Sequence, residues 1–400
     1  MHNRHHIYYI YYIYYVVGFL KAYPASVIMA FHQDASTPFT IRYEAIHNFK
    51  YQNKYIYNIK QMKIKKSIAD LATPLHTILT MVLAVLAISS FRADKTKTIF
   101  MIGDSTMANK DISGDKQERG WGMMLQNYFD DGIIVDNHAM NGRSSKSFIN
   151  EGRWKAVLDR IMPGDYLIIQ FGHNDEKTDS ARHTTPGTTF DANLRRFVRE
   201  AREKGATPIL MNSVVRRNFS DSKTAVADDD LRDNSSKQLA EGDTLIDTHG
   251  EYLVSPRRVA KEMGVVFVDA NKITHDLEQS MGKEGSKKLH MIFKPGETPS
   301  LPDGRQDNTH YNIFGANKVA GLLADALCRQ VAELAKHHVY YDIYVSKNGS
   351  GQFDDLESAV ASAPKGRKVT IAVSGGEWKK PEAMKGKKVK FVLTRGAKFL

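Results

Sequence analysis

"IFMIGDSTMANK", residues 99–110, runs through four apolar residues and breaks at Gly103 into Asp104, Ser105 and Thr106. A short apolar run stopped by glycine reads as a buried strand, and the polar residues after it read as a turn. Taken alone, Gly-Asp-Ser is ordinary turn chemistry, and a serine there can equally cap a helix. The surroundings decide between turn and site. Further apolar runs lie at 132–139, 165–172, 207–215 and 264–270, alternating with helical stretches. In the stretch 190–205, Phe190, Leu194, Phe197, Val198 and Ala201 recur at helical spacing. Apolar strands alternating with amphipathic helices predict an α/β fold whose parallel sheet is covered on both faces.

In such sheets the ligand crevice lies beyond the carboxyl ends of the strands. Ser105 follows the first strand, Asn141-Gly142 the second, and Gly172-His173-Asn174-Asp175 the third. Before the last helix lie Asp307 and His310, in "DNTHYNIFGANKVAGLL". Together these form a chemical set. A serine hydroxyl needs a base to become a nucleophile, and His310 is a candidate. Asp307, three residues earlier, can hold the other imidazole nitrogen from the same loop. Attack on a carbonyl creates an oxyanion, for which the N–H groups of Ser105 and Gly142 and the Asn174 amide are candidate donors. Glycine suits position 142 because a side chain would crowd the oxyanion. A metal site built on His173, Asp175 and His310 is the rival, but no His-x-x-x-His or Glu-x-x-His pairing supports it.

Length allows two or three domains. The net charge of +11 is not spread evenly: residues 1–98 carry +8, residues 341–400 carry +6, and the stretch between them carries −3. The α/β region is therefore slightly acidic, which argues against a nucleic-acid partner. Residues 1–61 open with a Tyr/Ile tract and continue without sustained period, and read as an upstream extension with no domain. Residues 62–90 read as a signal peptide starting at Met62, with Lys63, Lys65 and Lys66 ahead of the apolar stretch Ile78–Ile88 and small Ser89 and Ser90. The expectation is a secreted or periplasmic protein with no stable membrane anchor. The single cysteine, Cys328, lies in an apolar helical stretch and excludes an internal disulfide.

Gly103-Asp104-Ser105, Gly142, Gly172-x-Asn174-Asp175 and Asp307-x-x-His310, in this order, resemble the four blocks of the SGNH, or GDSL-type, hydrolases. "GDSTMA", "RGWGMML", "NGRSSKSF", "GHNDEK" and "DNTHYN" resemble the rhamnogalacturonan acetylesterase branch, carbohydrate esterase family twelve. The resemblance covers about 97–336, within a domain placed at 95–337, and implies a three-layer α/β/α fold. It implies Ser105 as nucleophile, His310 as base, Asp307 as its orienting partner, and Ser105, Gly142 and Asn174 as the oxyanion hole. The implied reaction is cofactor-free and metal-free removal of acetyl groups from rhamnogalacturonan. Because such a polymer is acidic, Arg143, Arg216 and Arg217 are candidate substrate-binding residues. His173 is expected to shape the pocket without catalytic duty. The alternatives are an esterase or lipase acting on another acyl ester, and a non-catalytic carbohydrate-binding protein.

Residues 340–400 change register. "IYVSKNGSGQFDDLESAVASAP", then "KVTIAVSGGEW", resemble the start of a pectin methylesterase-type β-helix, and the sequence stops before that family's catalytic aspartates. A β-helix buries its core only by stacking coils, so this segment is expected to be an incomplete, separate unit.

Overall fold

Alternate residues of the first strand face opposite ways, and both faces are apolar. Ile99 and Met101 enter one buried cluster, Phe100 and Ile102 another. The computed structural model describes residues 96–220 and 241–400, except 383 and 385. The proposed extension 1–61 and signal 62–90 lie outside the described residues. β1 (Lys97–Gly103), β2 (Ile133–Asn137), β3 (Tyr166–Gln170), β4 (Thr207–Met211) and β5 (Val266–Val268) form one sheet ordered β2-β1-β3-β4-β5. Every pairing in it is parallel.

Helices cover both faces, as a wholly apolar sheet requires. α1 (Ser145–Asn150), α2 (Arg153–Leu158), α3 (Thr189–Glu203) and α4 (Glu251–Met263) bury Phe148, Trp154, Phe190, Leu194, Phe197 and Val259 against Phe100, Ile102, Leu167 and Ile169. α5 (Ala270–Ser286) and α6 (Ile313–Gln330) cover the other face, with Val319 and Leu323 against Ile99, Met101 and Ile168. The stretch 147–161 is not one helix: Gly152 adopts φ +73° and separates α1 from α2. α5 carries no strong sequence signal, because only Ile273, Leu277 and Met281 make its apolar stripe and Gly282 interrupts it at φ +69°. Among the described residues no helix is long and apolar enough to cross a membrane.

A hairpin sits beside the sheet. β6 (His290–Phe293) pairs antiparallel with β7 (Arg305–Asn312), and the short strand Glu118–Arg119 lines the other edge of β7. Asp307 faces Met291 and Tyr311 faces His290, so Asn308, Thr309 and His310 bulge out of the ladder. The Asp-x-x-His pair therefore rides on a bulged strand rather than on the open loop expected for it.

β8 (Ile343–Ser346), β9 (Lys368–Ser374) and β10 (Lys388–Thr394) form a second parallel sheet, with α7 (Leu356–Ser362) packed on it. Its register is one-to-one from Lys368/Lys388 to Ser374/Thr394. The expected change at residue 340 is a change of sheet rather than a break in packing. Tyr344 and Ala372 join the cluster that holds Tyr128, and the rings of Tyr128 and Tyr344 lie 5.2 Å apart. Arg119 Nε donates to the Gly349 carbonyl at 3.0 Å. Arg395 Nη2 donates to the carbonyls of Phe129, Asp130 and Ile133 at 3.2, 3.0 and 3.1 Å. All of the described residues fall in one compact unit.

Candidate active site

Ser105 leaves β1 inside a turn that Asp104 closes. Asp104 Oδ1 accepts from Thr106 N at 3.0 Å and from Thr106 Oγ1 at 2.8 Å, and its carbonyl accepts from Ala108 N at 3.0 Å. Both readings of Gly-Asp-Ser thus hold: Asp104 makes the turn and the turn presents Ser105. Burial pushes the Asp104 carboxyl up, against the lowering effect of the Thr106 hydrogen bonds.

His310 Nε2 lies 2.8 Å from Ser105 Oγ, and His310 Nδ1 lies 2.8 Å from Asp307 Oδ2. Asp307 Oδ1 accepts from the backbone N–H groups of Thr309 and His310 at 2.8 and 3.0 Å. The bulge is what permits this, since it folds the backbone back onto the carboxylate. Burial alone would raise the Asp307 carboxyl; the His310 hydrogen bond, the His310 charge and the two backbone donors hold it well below the usual carboxylate range.

Gly142 and Asn174 each follow a strand paired in parallel with β1, at the carboxyl end of the sheet that also delivers Ser105. Gly142 adopts φ +75°, and a Cβ built there would meet nothing within 4 Å. The backbone there requires glycine on conformational grounds alone. Asn174 is buried, and its Nδ2 donates to the Arg143 carbonyl at 3.3 Å, tying its loop to the residue after Gly142. Asp175 strengthens the tie: its carboxylate accepts from Ser145 N, at the start of α1, at 3.0 Å and from Thr184 Oγ1 at 2.8 Å. Burial pushes Asp175 up to about 7.

The three candidate arginines separate. Arg143 is partly exposed beside Gly142, with Nε on Glu151 at 3.0 Å. Arg216 and Arg217, expected on an open rim as carboxylate clamps, are buried instead. Arg216 donates through Nε to His173 Nδ1 at 3.1 Å and through Nη2 to Glu176 Oε1 at 3.0 Å. Arg217 N donates to the Asn308 carbonyl at 2.9 Å, and Arg217 Nη1 to Asn308 Oδ1 at 3.0 Å. Their guanidinium groups are committed to holding loops together, and Arg217 in particular steadies the bulge that carries His310.

His173, Glu176 and His249 bring ligating atoms within 4.8 Å of one another. Glu176 and His249 had no signal in the sequence, since they lie far apart in it. Glu176 already shares its charge with Arg216 and accepts at 2.9 Å from His249 Nδ1. Burial, followed by the Arg216 charge, pushes both imidazoles down. A guanidinium within the group opposes a second cation there, so it reads as an internal ion pair behind the Asn174 loop.

A serine hydrogen-bonded to an imidazole that is backed by a carboxylate, at the carboxyl end of a parallel sheet, is a serine-hydrolase arrangement. The sequence model of the GDSL-like lipase/acylhydrolase family matches residues 101–318. The rhamnogalacturonan acetylesterase RhgT of Bacillus subtilis (strain 168) is 38% identical over 229 residues, covering 57% of this chain and 88% of the relative. YesY of the same organism is 31% identical over 233 residues, covering 57% of this chain and 91% of YesY. The solved structure of Bacillus subtilis YxiM aligns at 27% identity and a TM-score of 0.45, over 59% of this chain and 57% of that one. The chain belongs to the GDSL-like lipase/acylhydrolase family and is a carboxylic ester hydrolase.

Proposed function

We propose that this chain is an exported serine esterase that removes acetyl groups from pectic polysaccharide, with rhamnogalacturonan as the polymer. The observation that carries the chemistry is the unbroken line Ser105–His310–Asp307, both links 2.8 Å long. The polymer assignment is supported by the likeness to RhgT over most of that protein's length.

In this reading His310 Nε2 takes the Ser105 proton as Oγ bonds to the acetyl carbon. The carbonyl oxygen becomes an oxyanion facing the N–H groups of Ser105 and Gly142 and the Asn174 amide. Each such donor is worth about 3–4 kcal/mol in the transition state. Collapse expels the sugar oxygen, which takes the proton from His310 and leaves acetyl on Ser105. A water then gives its proton to His310 and attacks the acyl carbon; collapse breaks the Oγ–acyl bond, returns the proton from His310 to Ser105 and releases acetate. Asp307 holds the imidazole in place and stabilises its charged form.

Export through a signal at 62–90 is supported by Lys63, Lys65 and Lys66 preceding the apolar stretch Ile78–Ile88. The reading of residues 340–400 as the opening of a pectin methylesterase-like β-helix is supported by the one-to-one parallel ladder of β9 and β10. N-terminal sequencing of exported protein should begin near Phe91. For the activity, acetate release is measured on acetylated rhamnogalacturonan, xylan and homogalacturonan side by side, with Ser105→Ala as control. Rhamnogalacturonan should be the best substrate and the variant nearly silent. Preference for xylan overturns the polymer; wild-type turnover in a folded Ser105→Ala protein overturns the mechanism.

A further inference from the structure

Asp307 has a partner outside the catalytic line. Arg305 Nη2 donates at 2.6 Å to Asp307 Oδ2, the same oxygen that meets His310 Nδ1. Arg305 Nη1 reaches Glu118 Oε2 at 2.8 Å, and Glu118 Oε1 pairs with Lys110 Nζ at 2.7 Å. Lys110, its side chain only 5% exposed, donates at 2.7 Å to Asn141 Oδ1, on the residue next to Gly142. Charges of alternating sign thus run from the histidine's carboxylate to the oxyanion loop.

We propose that Arg305 is a positioning residue that divides Asp307 Oδ2 with His310 and so sets the acid limit of catalysis, with Glu118 as its counterweight. This rests on the roles proposed above for Ser105, Asp307 and His310. The imidazolium that forms during attack faces Asp307 and Arg305 on its own strand, Glu118 on the neighbouring strand, and Asp104 and His173 at the ends of β1 and β3. Arg119, beside Glu118, turns away to Gly349, and His290 on β6 turns to Glu278 at 2.9 Å. Arg305 is therefore the positive charge directly paired to the carboxylate that stabilises the imidazolium. Burial would lower the Arg305 guanidinium, but Asp307 and Glu118 raise it, as a held ion pair requires.

The sign follows. Removing the Arg305 charge favours the imidazolium and moves the acid limb of kcat/KM to higher pH; removing the Glu118 charge moves it to lower pH. Partial solvation reduces the Coulombic effect to about half to one pH unit in each direction. The experiment measures kcat/KM for 4-nitrophenyl acetate from pH 4 to 9, as roughly the span where imidazole and its neighbours titrate. The variants are Arg305→Gln, Arg305→Lys, Glu118→Gln and Arg305→Gln with Glu118→Gln, with Ser105→Ala as control. Opposite shifts in the single Gln variants, cancellation in the double variant, and a wild-type limb in Arg305→Lys are expected. Uniform loss at every pH, or shifts of the same sign, overturns the proposal. If Arg305→Gln does not fold, an unmoved limb in Glu118→Gln overturns it alone. Residual activity in Ser105→Ala defeats the underlying mechanism instead, so the two failures are distinguishable.

Discussion

Replacing Asp307 by asparagine removes one oxygen and one charge while keeping the shape, and the four donors around it fix the consequence. Oδ2 faces His310 Nδ1 and Arg305 Nη2; Oδ1 faces the N–H groups of Thr309 and His310. An amide has one accepting edge and one donating edge. If its oxygen stays on the two backbone N–H groups, its NH2 meets His310 Nδ1 and Arg305. The imidazole must then accept at Nδ1, so its proton sits on Nε2, facing Ser105 Oγ, and the base is lost. If the amide turns over, the two backbone donors lose their acceptor, at about 1–3 kcal/mol each. The first arrangement forfeits one charged hydrogen bond, about 1.5–3 kcal/mol, so it competes well with the second. In serine–histidine–aspartate enzymes the wrong tautomer costs about 10⁴ in kcat, or roughly 5 kcal/mol.

Asp307→Ala forces no amide N–H onto Nδ1, so His310 keeps its choice of tautomer. We therefore expect Asp307→Asn to lose about 10³–10⁴ in kcat, and Asp307→Ala to lose about tenfold less. Steady-state hydrolysis of 4-nitrophenyl acetate, with circular dichroism to establish folding, ranks the two. A folded Asn variant within tenfold of wild type, or one more active than the Ala variant, refutes this account of the bulge.

Three other outcomes are expected. Gly142→Ala should lower kcat at least about tenfold with little change in KM, because φ +75° costs a side chain about 1–2 kcal/mol and relaxation moves the N–H; an unchanged kcat would contradict the conformational reading. The depressed Asp307 carboxyl contributes stability that is complete above the ordinary value of 3.8 and lost as pH falls below it, so Asp307→Ala should flatten the acid side of a Tm-against-pH curve; an equally steep curve argues against it. Prolonged dialysis against a strong chelator should leave acetate release intact, since Arg216 already holds the charge of Glu176; loss of activity restored by one divalent metal would reverse that inference.

What the sequence disclosed follows from how each feature is encoded. The sheet was legible because each strand is a local apolar run, and the strand ends placed Ser105, Gly142 and Asn174 without knowledge of pairing. The ion chain was not, because Arg305 meets Glu118, and Lys110 meets Asn141, only once segments distant in sequence are folded together. One clue was present: Arg305 and Asp307, two apart on a strand, share a face. The buried arginines were misplaced for a related reason. "VVRRN" follows a strand and reads as exposed rim, whereas Asn308 and Glu176 arrive from distant segments to cover it.

In the tail the local elements were legible and their relation to the body was not. Strand, turn and helix in 343–374 are local signals, but nothing in them announces that Tyr344 fits beside Tyr128 or that Gly349 accepts from Arg119. Arg395 makes the same point from the far end. It is the one non-glycine at positive φ among the described residues, at +53°, a conformation that costs an L side chain about 1–2 kcal/mol. Three carbonyls of the body receive its guanidinium, and charged hydrogen bonds of that kind outweigh the strain. No residue placed at the site comes from this segment. Yet Arg119, which binds the tail, is the immediate neighbour of Glu118, which pairs with Arg305, so the tail braces the strand edge on which the triad's bulge is built.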